Sequence, residues 1–388
     1  MIAVQPNQRT CSVETAQPPP PQRGAGARRV ARVLTSGRPG WVGIDLGSRF
    51  LKIAQVVSDG GGLRVRAAEM IELSRSQRES GIDPAEIVST VGGVLRSADI
   101  LGTSVACLLP KSAYEHERVE LPNCDGASIE QGLLRHLGRR SAPDLRGTSM
   151  DFWKIPGSKD SVEKTEHGVQ VVSVRNDLVE QLIQGLHKSG YQVRCIDGPM
   201  MTAARAVELD DPANSDRNVA VVDWGHSTAT FTLVSQGIPV LVRSLRDSDY
   251  ARIIGAVSGR FEIDGNDAEV LLRRYGLPDV DERRPADEIR KAIFTHVRES
   301  LRVVCEELDR TIHYTSRKLS LAKPDRLVLT GGGAAVGNLS LWLQRRTGIE
   351  TSHWSPASLK TDDHRSQPVA VFANAMALSA LSLSPFRR

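Results

Sequence analysis

The chain has 388 residues, 40 % hydrophobic and 25 % charged, so it can form two or three subdomains with cores of their own. Its net charge of +4 is concentrated at one end: residues 1–40 hold six arginines (Arg9, Arg23, Arg28, Arg29, Arg32, Arg38) and a single acid, Glu14. The remainder is nearly neutral, which argues against the basic face that non-specific nucleic-acid binding needs. Five widely spaced cysteines without a Cys-x-x-Cys pair argue against a zinc site or disulfide framework and for a reducing compartment. No apolar run is long enough to span a membrane, and the N-terminus lacks the apolar core of an export signal.

Residues 1–40, with Pro18 to Pro21, several Gly and Ser and no apolar periodicity, are expected to be a disordered basic tail. From Trp41 the pattern changes. Val42–Leu46, Phe50–Val57 and Leu63–Leu73 read as strands, followed by a helix with Asp83 as N-cap, Pro84 at its first position and Ile87, Val91, Val94, Leu95 and Ala98 on its apolar face. Val105–Leu109 resumes the sheet, so 41–110 is expected as one β-rich half-domain. Residues 111–197 read as an inserted β-α-β-β-α-β module whose second helix stops at Gly190. Residues 198–388 repeat the first half's opening, with strands at 219–223, 229–235 and 240–245. A long helix with one buried stripe follows at about 284–320, then a strand at 327–330, a helix bearing Leu339 and Leu343, and a closing helix from about Pro368.

Chemistry enters at three places. Trp41-Val42-Gly43-Ile44-Asp45-Leu46-Gly47-Ser48 and Val219 to Thr228, containing Asp223-Trp224-Gly225-His226, are strands that end in Asp-x-Gly turns. Gly331-Gly332-Gly333 directly follows the apolar run Leu327 to Thr330. A strand ending in Asp-x-Gly sets a carboxylate beside backbone N–H groups, a combination suited to phosphate oxygens and a hydrated Mg²⁺. Two such turns and a glycine loop predict a two-jawed ATP cleft with Asp45 and Asp223 holding the metal through water. Lys52, Ser48, Ser227 and Thr228 are candidate phosphate contacts; each reads equally as a solvated or turn-satisfying side chain. Glu269 and Arg273 are spaced four apart on an expected helix, as a surface ion pair would be.

At this point the chain resembles the PilM family of type IV pilus assembly proteins, within the actin-like ATPase superfamily, over residues 42–381. Val42-Gly43-Ile44-Asp45-Leu46-Gly47-Ser48 with Lys52 matches the family's first phosphate turn, and Ala268-Glu269-Val270-Leu271-Leu272-Arg273 matches the element over its adenosine. Glu307–Tyr314 resembles the helix leading to its glycine turn, and Leu329–Ala335 resembles the turn itself. The resemblance implies an α/β fold of two ribonuclease-H-like halves. It also implies nucleotide contacts from Asp45, Gly47, Ser48, Lys52, Asp223, Gly225, Ser227, Thr228, Glu269, Arg273, Gly331, Gly332 and Gly333, with ATP and Mg²⁺ as cofactors.

It further implies a cytoplasmic scaffold at the inner face of the membrane, at most a slow ATPase, that meets other pilus assembly components and grasps the N-terminal segment of a PilN-like inner-membrane protein in a groove to which the 111–197 module contributes. An FtsA-like division protein and a small-molecule kinase are the alternatives. The chain ends too soon after its closing helix for an FtsA-type membrane helix, and no base motif for a kinase is found. Two departures stand out: Trp224 and His226 in the second turn, where Trp224 could plug the cleft, and Arg246-Asp247-Ser248 where the family carries Gly-Gly, which is expected to narrow the approach to adenosine.

Overall fold

The computed structural model describes residues 37–383 apart from 61, 75–76, 79–82, 123–125, 140–146, 156–165, 279–287, 319–322 and 361–367. The basic tail up to residue 36 and the first turn expected of the long helix lie outside the described residues.

The first part of the chain runs β1 (Arg38–Pro39), β2 (Val42–Leu46), β3 (Phe50–Ser58), β4 (Leu63–Glu72), α1 (Pro84–Ser97) and β5 (Ser104–Leu108). It continues through β6 (Tyr114–Pro122), α2 (Gly126–Arg139), β7 (Thr148–Lys154), β8 (Glu166–Arg175), α3 (Asn176–Lys188), β9 (Gln192–Asp197) and α4 (Pro199–Asp210). The second part runs β10 (Asn218–Trp224), β11 (Ala229–Ser235), β12 (Ile238–Leu245), α5 (Tyr250–Phe261), α6 (Gly265–Tyr275) and α7 (Glu288–Lys318). It closes with β13 (Arg326–Thr330), α8 (Leu339–Thr347), β14 (Glu350–His353), β15 (Leu359–Lys360) and α9 (Ala373–Ala380).

Two sheets repeat one plan. In the first the strand order is β15-β4-β3-β2-β5-β9, and in the second it is β12-β11-β10-β13-β14. In each, a central strand (β2 or β10) has its antiparallel hairpin partner on one side and a parallel strand (β5 or β13) on the other. The fold is therefore the duplicated, two-lobed actin-like arrangement. Parallel strands need covered faces, and the helices supply them: α7 buries Ile293, Val297, Leu301, Val304, Leu308 and Ile312 in the second lobe's core, the stripe that three- and four-residue spacing predicts. Asp83 caps α1, its Oδ1 accepting from the Ala85 N–H at 2.8 Å.

The β-α-β-β-α-β order of the insert is present in β6 to β9. Its last two elements dock on the first lobe, β9 pairing with β5 and α3 packing on α1. Strands β6, β8 and β7 form a separate antiparallel sheet in that order. Tyr114 staples this sheet to the first lobe: its hydroxyl donates to the Asp197 carbonyl at 2.7 Å and accepts from the Leu109 N–H at 3.0 Å.

One boundary is corrected. The tail was expected to extend to residue 40, but Arg38 and Pro39 pair with Ser58 and Val57, and the Gly40 N–H donates to the Val56 carbonyl at 2.9 Å. An edge strand held by main-chain hydrogen bonds leaves no trace in the apolar pattern, so composition alone assigns it to the tail.

Two helices cross between the lobes. Helix α4 packs against both α9 and the second sheet, and α9 returns to lie on β2, β3 and β5. The α9 backbone touches β2 at Gly43, where a Cβ would sit 1.8 Å from the Ala375 carbonyl oxygen. Gly43→Ala is expected to push α9 off the sheet and cost about 3 kcal/mol, at the upper end of overpacking effects. Denaturant titration measures this, and a loss below about 1 kcal/mol, the centre of ordinary point mutations, would show that the contact is looser.

Candidate functional site

Strand geometry determines where the two acidic turns fall. Asp45 and Asp223 are the penultimate residues of β2 and β10, and the parallel strands of both mixed sheets present their C-termini to the gap between the lobes, where open α/β sheets collect ligands. The two turns have the same internal bond. Gly47 N–H donates to Phe50 O and Gly225 N–H to Thr228 O, each at 3.1 Å. A Cβ at either glycine would meet that carbonyl oxygen within 2.8 Å, so the close approach requires glycine. The glycine amides are thus engaged in closing their own turns, and the apex residues Ser48, Arg49, His226 and Ser227 lie on the wall of the gap.

The gap is one cavity, open at its mouth, of about 1030 Å³ including the solvent space at that mouth. Asp45, Gly47, Ser48, Lys52, Asp223, Gly225, Ser227, Thr228, Glu269, Arg273 and Gly332 line it together. Gly331 and Gly333 do not. A Cβ on Gly331 would fall 2.4 Å from Asp223 Oδ1, and one on Gly333 would fall 2.6 Å from the Trp224 ring, so both support the wall from behind.

Each carboxylate carries a lysine. Asp45 and Lys52 are direct cross-strand partners, and Lys52 Nζ lies 3.4 Å from Asp45 Oδ2. Lys111, from the loop after β5, reaches across the gap to Asp223 Oδ2 at 3.1 Å, where Asn374 Nδ2 also donates at 3.3 Å. Burial pushes the Asp223 carboxyl up, but Lys111 and Lys52 outweigh it and hold the group below the usual carboxylate range. Glu269 is raised by burial, with Arg49 and Arg273 pulling the other way. His226 is lowered to about 4, chiefly by burial with Arg49 and Arg78 adding, so it is neutral at pH 7. Its buried Nδ1 has no hydrogen-bond partner among the described residues.

Neither departure in the sequence obstructs the cavity. Successive strand residues point to opposite faces, so with Asp223 in the gap Trp224 turns away from it. The indole is 1 % exposed, packs edge-on to Tyr250 at 6.3 Å, and is absent from the cavity lining. Residues 246–248 also lie off the lining, contrary to the expected narrowing. Asp247 takes the left-handed conformation (φ 52°) that a glycine would favour, at a turn bonded to Glu307 and away from the gap.

The sequence profile of a family described as "Type IV pilus assembly protein PilM" matches residues 43–380. The chain belongs to the PilM family. Among solved structures, a "PilM-PilN type IV pilus biogenesis complex" contains a chain 20 % identical to this one, with TM-score 0.70, covering 89 % of this chain and 99 % of that one. Ethanolamine utilization protein EutJ from Carboxydothermus hydrogenoformans is 14 % identical (TM-score 0.46, covering 89 % and 90 %). MreB 5 of Spiroplasma citri is 12 % identical (TM-score 0.45, covering 88 % and 95 %). A comparison with curated proteins finds no match.

Several lining residues of this PilM-family chain escaped the sequence argument. Lys111 had a usable signal, since it follows the strand parallel to β2 and must emerge at the same sheet edge as Asp45. Arg49 sits at the apex of the first turn, between two residues the motif does use. Asn374 and Tyr250 carry no signal before the fold is known. A second groove, of about 1280 Å³ with its open mouth, lies at the foot of the small sheet between β6, β8 and the starts of α1 and α3. Ser112, Ala113, Val174 and Leu178 are among the residues lining it, and Ser112 lines the first cavity as well. Among the described residues no helix is long and apolar enough to cross a membrane.

Proposed function

We propose that this PilM-family protein binds ATP with Mg²⁺ between its lobes and is a cytoplasmic scaffold that holds the N-terminal segment of a PilN-like inner-membrane protein. The observation carrying the nucleotide half is the convergence of two Asp-x-Gly hairpin tips on one cavity, each carboxylate already neutralised by a lysine. The residues present fit the ligand. Lys52 and Lys111 are phosphate counter-ions in waiting, Asp45 and Asp223 would hold Mg²⁺ through water, and the apex amides with Ser48, Ser227 and Thr228 are donors for phosphate oxygens. Glu269 and Arg273, on α6, would face the nucleoside.

The groove at the foot of the small sheet supports the partner half. It is mixed in character, and β6 and β7 are both edge strands of a three-stranded sheet, so a peptide can be held by side-chain pockets or by strand addition. No catalytic residue is assigned, since the neutral His226 has no orienting partner on Nδ1 among the described residues. A slow turnover at most accords with a scaffold whose affinity is set by the population of two conformations.

Immobilised full-length chain, incubated with detergent-solubilised membranes with and without Mg-ATP, is expected to retain a PilN-like protein. A synthetic peptide of that protein's N-terminal segment is expected to displace it. Failure to retain it under either condition, or retention the peptide does not reverse, rejects the partner assignment.

A further inference from the structure

Arg49 is charged yet only 4 % exposed, and every part of its guanidinium is engaged. Nε donates to Glu72 Oε1 at 3.0 Å, Nη2 to Asn266 Oδ1 at 2.6 Å, and Nη1 lies 3.3 Å from Glu269 Oε1. The guanidinium carbon also stands 4.8 Å from the centre of the Phe50 ring. Glu72 ends β4 in the first lobe, whereas Asn266 and Glu269 stand three apart on α6 in the second. Arg49 therefore reaches from the first turn over the cavity and grips the opposite lobe. Lys111 does the same toward Asp223, so these two ion pairs each run from a first-lobe cation to a second-lobe anion.

A cleft built this way pairs these cations internally. A buried guanidinium is tolerated only while paired, so separating the lobes, or turning Glu269 toward another donor, strands Arg49 in a poorly solvated place. On the nucleotide reading proposed above, on which this inference rests, Glu269 faces the nucleoside, whose hydroxyls would be donors competing for the same carboxylate.

We propose that Arg49 is an autoinhibitory latch: its guanidinium ties the lobes together by occupying Glu269 and Asn266, and nucleoside access to α6 requires its release. An affinity measured on a latched population is reduced by the fraction that is unlatched, so weakening the latch tightens binding. A residue that merely props the fold would not do this, and one that ligates phosphate would do the reverse.

The test measures calorimetric affinity for Mg-ATP and melting temperature on the full chain, comparing wild type with Arg49→Gln, Arg49→Lys and Glu269→Ala. Arg49→Gln is expected to bind roughly five- to twentyfold tighter, a usual size for coupling between two states. It is also expected to melt below wild type without nucleotide and level with it at saturating Mg-ATP, because the latch contributes only to the empty state. In a Glu269→Ala background the gain from Arg49→Gln should shrink to within about twofold, since the contested carboxylate is gone. Arg49→Lys, which keeps the charge and loses the fork, is expected to fall between and carries the test if the Gln variant fails to fold.

Equal or weaker binding by folded Arg49 variants overturns the latch and leaves the nucleotide reading standing, provided that Asp45→Ala with Asp223→Ala removes the Mg²⁺-dependent binding. Absence of ATP binding in every variant, or an unchanged Mg²⁺-dependent gain in that double variant, overturns the nucleotide reading and the latch with it.

Discussion

Replacing Asp45 and Asp223 together by Ala is expected to abolish the thermal stabilisation that Mg²⁺ adds to ATP, while the protein remains folded. Both carboxylates lie at the ends of strands whose cores are apolar and intact without them, and both face the cavity. Their removal frees Lys52 and Lys111, whose long stems can carry the ammonium groups into cavity water, so a modest loss of melting temperature is expected without ligand. Freed lysines attract phosphate more strongly than paired ones, so ATP without Mg²⁺ should bind the double variant at least as well as wild type. The metal-dependent increment is therefore the diagnostic quantity. A ligand at a hundred times its Kd contributes about 2.7 kcal/mol to the folded state, on the order of 5 °C for a chain of this size. Melting scans with ATP in EDTA and with ATP in Mg²⁺ measure that increment, and its survival in the double variant would remove the cleft assignment.

The second large effect concerns Trp224. Its indole is among the largest fully buried side chains, beneath Gly333 and edge-on to Tyr250. Trp224→Ala is expected to destabilise the second lobe by about 3–5 kcal/mol through lost burial and the cavity left behind. Gly333 approaches the ring so closely that Gly333→Val should be severely destabilising beside Trp224 and milder in the Trp224→Ala background, a coupling that a double-mutant cycle reads directly. Wherever Trp224→Leu stays folded, its nucleotide affinity should match wild type, because the side chain lies behind the cavity wall. A large gain in affinity on shrinking residue 224 would mean that the indole occupies the cleft after all.

Much of the architecture was legible because short-range rules control it. Period-two and period-3.6 apolar patterns located most strands and helices, and the two-residue apex between Gly47 and Phe50 sets the register that brings Lys52 opposite Asp45. Alternation along β10 also determines that Asp223 and Trp224 face opposite ways, so a signal existed for keeping the indole out of the cleft. Other elements left weak signals. Helix α5 lies between two turns with a short apolar face of Ile253, Ile254 and Val257, and β14 and β15 have 4 and 2 residues. The pairing of Arg38 and Pro39 with β3 is carried by main-chain bonds, which composition does not record.

The sequence by itself determined the duplicated halves, the two acidic hairpin tips and the family, since each depends on residues within a dozen positions of one another or on an ordered set of such groups. Only the tertiary structure decided that Lys111 answers Asp223, that Arg49 answers Glu269 and Asn266, and that Gly331 and Gly333 support the wall while Gly332 lines it. Arg49 and Asn266 are 217 positions apart, and Lys111 and the Asp223 backbone 112. Contacts across so long a loop follow from how α4 and α9 pack the lobes together. That packing is a property of the whole core, which no local run of side chains encodes.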